Sequence, residues 1–239
     1  MRLEISILKT TILYERLSGA WFEIARDSIR KRGVFTAAIC GGTTPLGFYR
    51  YLSRKKYPLW KRTHIFVTDE RFVPSSHNEY NGKMIRANLI DRVGLPKGNV
   101  HFVDTDKKIL QAATRQYQRE LKVFFDLGKS RLPKFDLILL GLGEDGHTAS
   151  LFPPSKGMGK NKKGAIVSTV NPSGQKRISL SLAAINNARN VFFMVTGKKK
   201  ASILREVLYK KNSRLPATRV ASSGKVRFFL DKAAGTGVA

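Results

Sequence analysis

Apolar and polar positions along this chain fall into short apolar runs and longer periodic stretches, taken in turn. Residues 11–32 read as a helix that turns basic at its end. "VFTAAIC", 34–40, is short, apolar and ended by Gly41-Gly42, which predicts a buried strand. "TTPLGFYRYL", 43–52, starts a second helix, with Thr43 or Thr44 as its cap and Pro45 at the first helical position. "HIFVTDERFVP", 64–74, predicts a strand running into a charged turn. Residues 78–92 place Met84, Ile85, Leu89 and Ile90 at helical spacing. A short strand at 99–103 precedes a long helix, 107–126, carrying Leu110, Ala113, Tyr117 and Leu121. Strands follow at 135–140, around 164–170, at 177–182 and at 190–196, then a helix at 198–210 and a last strand at 226–230. Strands alternating with helices predict an α/β fold with a doubly wound, mostly parallel sheet. "PPSKGMGKNKKG", 153–164, reads as a mobile Gly/Lys-rich loop, too short for a linker, so 1–239 is taken as a single domain.

Composition narrows the class. The 239 residues are 42% hydrophobic and 26% charged, which is globular and long enough for a sizeable core. The single cysteine, Cys40, excludes an intramolecular disulfide and argues against a Cys-based zinc cage, so the expected setting is reducing and cytoplasmic. The first 19 residues carry Glu4 and Glu15 and no long apolar core, which fits a signal peptide poorly. No stretch approaches a membrane span, and the final "AAGTGVA" carries no address or lipidation signal. With 44 Lys+Arg against 17 Asp+Glu, the net charge of +27 attracts phosphates of any kind, nucleic acid included. The bases run all along the chain, and no zinc finger or RNP motif accompanies them. The expectation is therefore a solvated basic surface, weak polyanion binding as a side effect, and no specific nucleic-acid or membrane partner.

Ligands of such sheets bind past the carboxyl ends of the strands. Four predicted strand ends carry polar or glycine-rich residues: Gly41–Pro45, Thr68–Arg71, Gly141–His147 and Thr196–Lys200. In "GGTTP" the glycines allow close backbone approach, and the following helix offers free N–H groups and a positive dipole end, which suits phosphate. An ordinary capped turn has the same pattern, and no Gly-Lys-Ser/Thr follows to make it a Walker loop. "GLGEDGH", 141–147, spells G-x-G-x-x-G through Gly141, Gly143 and Gly146. A dinucleotide loop would keep carboxylates off the pyrophosphate and run into a long helix; here Glu144 and Asp145 sit inside the loop and Pro153-Pro154 follows. His147 gives the loop its chemistry instead. An imidazole there can act as a general base, with the Asp145 carboxylate near to orient it. His64, His77 and His101 have no such context and are read as structural. "TDER" places Asp69, Glu70 and Arg71 at a strand end, either as a surface salt-bridge cluster or as an arginine held ready for developing negative charge.

Taken together, "GGTTP", "TDERFVP", Asn81, "FDLILLGLGEDGHTASLFP", "RISLSLAAINNARNVFFMVTGKKKA", "LPA" (215–217) and "DKAA" (231–234) resemble the 6-phosphogluconolactonases over essentially the whole chain. The wider superfamily includes glucosamine-6-phosphate deaminase and shares a modified Rossmann-like fold. The resemblance implies hydrolysis of 6-phospho-D-glucono-1,5-lactone to 6-phosphogluconate, without metal or cofactor. It implies His147 as the base that activates water, with Asp145 and Glu144 shaping the loop around Gly143. Arg71, with Asp69 and Glu70 on the same turn, would orient substrate or stabilise the oxyanion. Gly41, Gly42, Thr43, Thr44, Arg177 and Lys200 would hold the 6-phosphate, with Asn81 a further candidate in the substrate site. Ser150 has no recognisable partner histidine and is not proposed as a nucleophile. The family commonly has Ser-Asn where this chain has Tyr80-Asn81. The oligomeric expectation is a monomer or weak homo-oligomer.

Two rivals remain open. Sugar-phosphate isomerases and deaminases typically carry a Glu five residues after the histidine, where this chain has the non-ionising Phe152. An inactive polyanion-binding relative is supported by charge alone and leaves Asp145, His147 and Arg71 unexplained.

Overall fold

The computed structural model describes residues 2–128, 131–153, 164–222 and 224–238. Its main sheet has seven parallel strands: β1 (Arg2–Leu8), β2 (Phe35–Ile39), β3 (Thr63–Val67), β5 (Val100–His101), β6 (Leu137–Leu140), β9 (Asn190–Val195) and β10 (Lys225–Asp231), in the order β1-β10-β9-β6-β2-β3-β5. A second, antiparallel sheet has the order β4-β8-β7, from β4 (Asp69–Arg71), β7 (Ile166–Val170) and β8 (Lys176–Leu180). The helices are α1 (Thr10–Arg32), α2 (Thr43–Ser53), α3 (Asn81–Asn88), α4 (Leu110–Phe124), α5 (Leu182–Asn186), α6 (Ala201–Leu208) and α7 (Lys232–Gly235).

The inner strands are apolar runs because helices cover both faces of the sheet. All of "FTAAI" in β2 and "LILL" in β6 is buried. Burying Phe35 or Ile39 contributes about 1.5–3 kcal/mol each, and Trp21 of α1 packs edge-on against Phe35 at 5.3 Å. Helix α1 ends where Gly33 adopts φ +80° and returns its N–H to Ile29 O, with Arg30, Lys31 and Arg32 answering the helix's negative end. Parallel register sets Ile39 beside Val67 and Leu139, and Leu140 beside Phe193. The loops after β2, β3, β6 and β9 therefore open on one rim.

Several sequence expectations need correction. Residues 2–8, given no element above, form β1, which pairs with β10 from Arg2↔Lys225 to Leu8↔Asp231. The stretch 64–74 is two strands in two sheets. Thr68 makes the crossing: its N–H donates to Ile39 O, while its carbonyl accepts from Leu180 N–H. The 99–103 strand is only Val100–His101, and the 78–92 helix stops at Asn88 before a 3-10 turn at Ile90–Arg92. Likewise 198–210 opens as a 3-10 turn, Lys198–Lys200, before α6. The basic loop falls, but for its ends, at 154–163, outside the described residues.

Candidate active site

The rim after β2 begins at Gly41, where a Cβ would lie 1.8 Å from Asn81 Oδ1; only glycine fits this approach of β2 to α3. Gly42, at φ +104°, is the N-cap of α2 and no side chain caps the helix. The expected Thr43/Thr44 cap is therefore wrong, and Pro45 stands third in the helix rather than first. With no side chain on them, the first N–H groups of α2 stay available to an anion. Thr44 Oγ1 meets Thr196 Oγ1 at 3.5 Å, which ties this turn to the loop after β9.

The chain then turns outward along β4. Asp69 is buried; Thr68 Oγ1 donates to one oxygen at 2.8 Å and Ser150 Oγ to the other at 2.6 Å. That use of its proton leaves Ser150 no free role as a nucleophile. Glu70 faces the other way. It is fully buried and accepts the backbone N–H groups of Arg71, Asn81 and Gly82 at 2.7–2.9 Å, which caps α3 from another strand. Burial pushes its carboxyl up to about 8, and these three amides work against the rise. Glu70 thus builds the scaffold and does not line the cleft. Asn81 Nδ2 donates to Asp69 O at 2.9 Å and does line it. Tyr80 points away, its hydroxyl donating to Val103 O at 2.9 Å, so the departure at this position does not reach the cleft.

Arg71 and Arg177 sit directly opposite each other on the β4–β8 ladder. Arg71 Nη1 donates to Glu79 O at 2.9 Å, but Nε of both arginines is buried without a partner. Burial and the neighbouring Arg71 lower the Arg177 pKa from its ordinary value. Two adjacent guanidiniums with unmet donors make an anion-binding wall.

The third wall is "GLGEDGH". After β6 the residues 141–153 contain no helix, which removes the dinucleotide reading. Gly143 N–H donates to His147 O at 2.8 Å, and Gly146 N–H to Gly143 O at 3.1 Å, folding the loop on itself. Asp145 Oδ1 meets His147 Nδ1 at 2.5 Å and accepts the His147 backbone N–H at 3.1 Å. Burial opposes ionisation of Asp145, but these hydrogen bonds prevail and hold its pKa below the ordinary carboxylate value. With Nδ1 engaged, Nε2 is the nitrogen left for a reacting water. Phe152 packs on the imidazole at 4.6 Å between centroids. Lys200 joins the lining, with Glu144 Oε1 at 3.9 Å from its Nζ; Glu144 itself is exposed and outside the cleft wall.

These walls enclose a cleft of about 500 Å³. It gathers Gly41–Thr44, Asp69, Arg71, Asn81, Gly143, Asp145, His147, Arg177 and Lys200, and leaves out Glu70 and Glu144. Sequence reasoning missed Ser150 as the partner of Asp69, and Asn171 and Ser173 on the β7–β8 turn. The "NPSG" turn composition was the only signal for the last two, and it named a turn without saying what it faced. Of the three histidines read as structural, His64 and His101 join Glu120 in a chain of contacts at 3.1 and 2.7 Å away from the cleft, and His77 Nδ1 accepts the Glu79 backbone N–H at 3.1 Å, also outside the cleft wall.

A parallel α/β sheet whose carboxyl-end rim joins a His–Asp pair to a cationic cleft defines an enzyme class acting on small anionic substrates. The chain belongs to the family described as glucosamine-6-phosphate isomerases/6-phosphogluconolactonase, whose model matches residues 9–228. It is 35% identical to a 6-phosphogluconolactonase of Synechocystis, over 96% of this chain and 95% of the relative. It is 38% identical to that of Thermotoga maritima, over 81% and 83%. The crystal structure of the Thermotoga maritima 6-phosphogluconolactonase superposes with a TM-score of 0.85 at 31% identity, covering 97% of this chain and all of that one. The 6-phosphogluconolactonase of Trypanosoma brucei gives 0.88 at 28%, covering 100% and 99%.

Proposed function

We propose that this chain hydrolyses 6-phospho-D-glucono-1,5-lactone to 6-phosphogluconate in the oxidative pentose phosphate pathway. The observation that carries the reading is the Asp145–His147 pair at the end of β6, set beside a cationic cleft. His147 Nε2 takes a proton from water as the water oxygen attacks the C1 carbonyl. The same proton passes to the ring oxygen as the C1–O bond breaks, and the resulting acid ionises. Asp145 orients the imidazole and stabilises its charged form. Arg71 orients the lactone and faces the oxyanion, while the Gly41–Thr44 turn, Arg177 and Lys200 hold the 6-phosphate. Asp69 and Asn81 keep the walls in place. A δ-lactone is an activated ester, so one positioned base and a cationic pocket suffice; the reading invokes no metal, cofactor or covalent intermediate.

Phe152 favours this reading over ring opening by a deaminase, because the imidazole is packed on an aromatic ring where that chemistry would place a carboxylate. No helix among the described residues is long and apolar enough to cross a membrane, and a cytoplasmic setting fits the buried free thiol of Cys40.

The test generates the lactone in situ from glucose 6-phosphate and its dehydrogenase and follows its decay. The wild-type chain accelerates decay, and His147→Ala loses about 10²–10⁴-fold of that rate while keeping its near-UV circular dichroism. Decay at the spontaneous rate with wild-type protein overturns the function. A near-wild-type rate in His147→Ala removes the base.

A further inference from the structure

Part of the positive charge collects at one end of the main sheet. All seven parallel strands enter the main sheet on or within three residues of a basic residue: Arg2 opening β1, Arg32 before β2, Arg62 before β3, Lys97 before β5, Lys134 before β6, Arg189 before β9 and Lys225 opening β10. All of these lie at the amino ends of the strands, opposite the catalytic rim. The six residues of β9 alone span about 17 Å, so the two ends are well separated.

At this end the last turns of α1 and the starts of β9 and β10 enclose a cleft of about 450 Å³. Its basic lining is Lys31, Arg32, Lys134, Arg189, Lys225 and Arg227, with Lys31 paired to Asp27 at 2.8 Å, Arg227 to Glu4 at 2.7 Å, and Glu23 also on the wall. Beside it lies Asp136, whose side chain is 3% exposed. One Asp136 oxygen accepts from Arg32 Nη2 at 2.6 Å and stands 3.3 Å from Arg189 Nε. The other accepts the N–H and hydroxyl of Thr36, at 2.9 and 3.0 Å. One buried carboxylate thus fixes two guanidiniums and neutralises only one. Their side chains remain 33% and 38% exposed, so donors are left for a ligand. Lys134 and Lys225 have no acidic partner among the described residues. Gly224 and Arg189 approach closely in this wall: a Cβ on Gly224 would meet Arg189 O at 1.7 Å.

Pinned guanidiniums and free ammonium groups select phosphate oxygens. Among the described residues no aromatic side chain lines the cleft to stack a base or ring, and its volume suits a small molecule rather than a polymer. We propose that this amino-end cleft is a second anion site, taking a small molecule that carries two or more phosphate groups.

The test is calorimetric titration with inorganic tripolyphosphate at low salt. In Arg177→Ala/Lys200→Ala, which weakens the catalytic cleft, one tripolyphosphate is expected to bind per chain. Adding Lys134→Gln/Lys225→Gln weakens that binding about tenfold, while Lys134→Gln/Lys225→Gln alone leaves the melting temperature and lactone turnover unchanged. Several outcomes overturn the proposal: no binding in Arg177→Ala/Lys200→Ala, no weakening by the lysine substitutions, or a stoichiometry well above one, which marks diffuse surface charge. Duplex DNA binding without tripolyphosphate binding also overturns it.

Discussion

A methyl group at Gly143 strikes the proposed catalytic pair, Asp145 and His147, from inside its own loop. A Cβ there lies 2.1 Å from His147 Nδ1, 2.3 Å from Cε1 and 2.6 Å from Asp145 Oδ1. Ordinary contact begins at 3.4 Å, so the imidazole must retreat by about 1.3 Å. Moving the ring parts it from Asp145 and disturbs its packing on Phe152. The backbone cannot yield instead without releasing the Gly143–His147 and Gly146–Gly143 hydrogen bonds. A displacement of about 1 Å at a catalytic group costs about 10²-fold in rate. Gly143→Ala is therefore expected to lower kcat about 10²-fold. KM should stay within a few-fold, because the cations proposed to hold substrate stand on other elements. The added methyl costs about 1–3 kcal/mol of stability, a fall of a few degrees in Tm. Gly141→Ala is the control, since a Cβ there meets nothing within 4 Å; it reports the cost of lost glycine freedom in this loop without the collision. Lactone decay and thermal melts are measured on both. A Gly143→Ala enzyme within about threefold of wild-type kcat would refute the claim that the observed imidazole position is the working one.

Arg177→Ala and Lys200→Ala should each raise KM about tenfold with little change in kcat, because a phosphate clamp holds ground and transition states alike; unchanged KM in both would move the phosphate elsewhere. Glu70→Gln should cost about 1–3 kcal/mol, since its amide donors would face one of the N–H groups that the carboxylate accepts. Glu70 also carries a pH signature. Its folded pKa, about 8, lies above the ordinary 4.5, so the unfolded chain ionises first as pH rises. Wild-type stability should therefore fall relative to Glu70→Gln between pH 4.5 and 8, read by urea unfolding at both ends. A constant or growing advantage of wild type across that range would show that the three amides outweigh burial.

Local signals in the chain were enough for much of this. Apolar runs bounded by glycine located β2 and β6, because a strand covered on both faces needs little more than continuous hydrophobicity. The loop glycines and the Asp145–His147 spacing located the histidine–carboxylate pair, because residues two apart in a tight turn meet whatever the rest of the fold does. Expectations failed where a residue's fate depends on distant partners. Residues 2–8 carry exposed Leu3, Ile5 and Ile7 and become a strand through pairing with residues 225–231 at the far end of the chain. Glu70 looked like Arg71's equal on a charged turn, and only the position of α3 turned it inward as a cap.

The sequence by itself determined the alternation of strands and helices, the rim loops and the chemistry those loops carry, since each is written within a dozen neighbouring residues. The tertiary structure alone decided that Arg71 faces Arg177, that Ser150 serves Asp69, and that Glu144 stays outside the cleft. It also decided that one end of the sheet collects cations around Asp136. These pairings join positions tens of residues apart or more, or depend on which way a side chain turns, and sheet register and packing fix both; no local pattern encodes them.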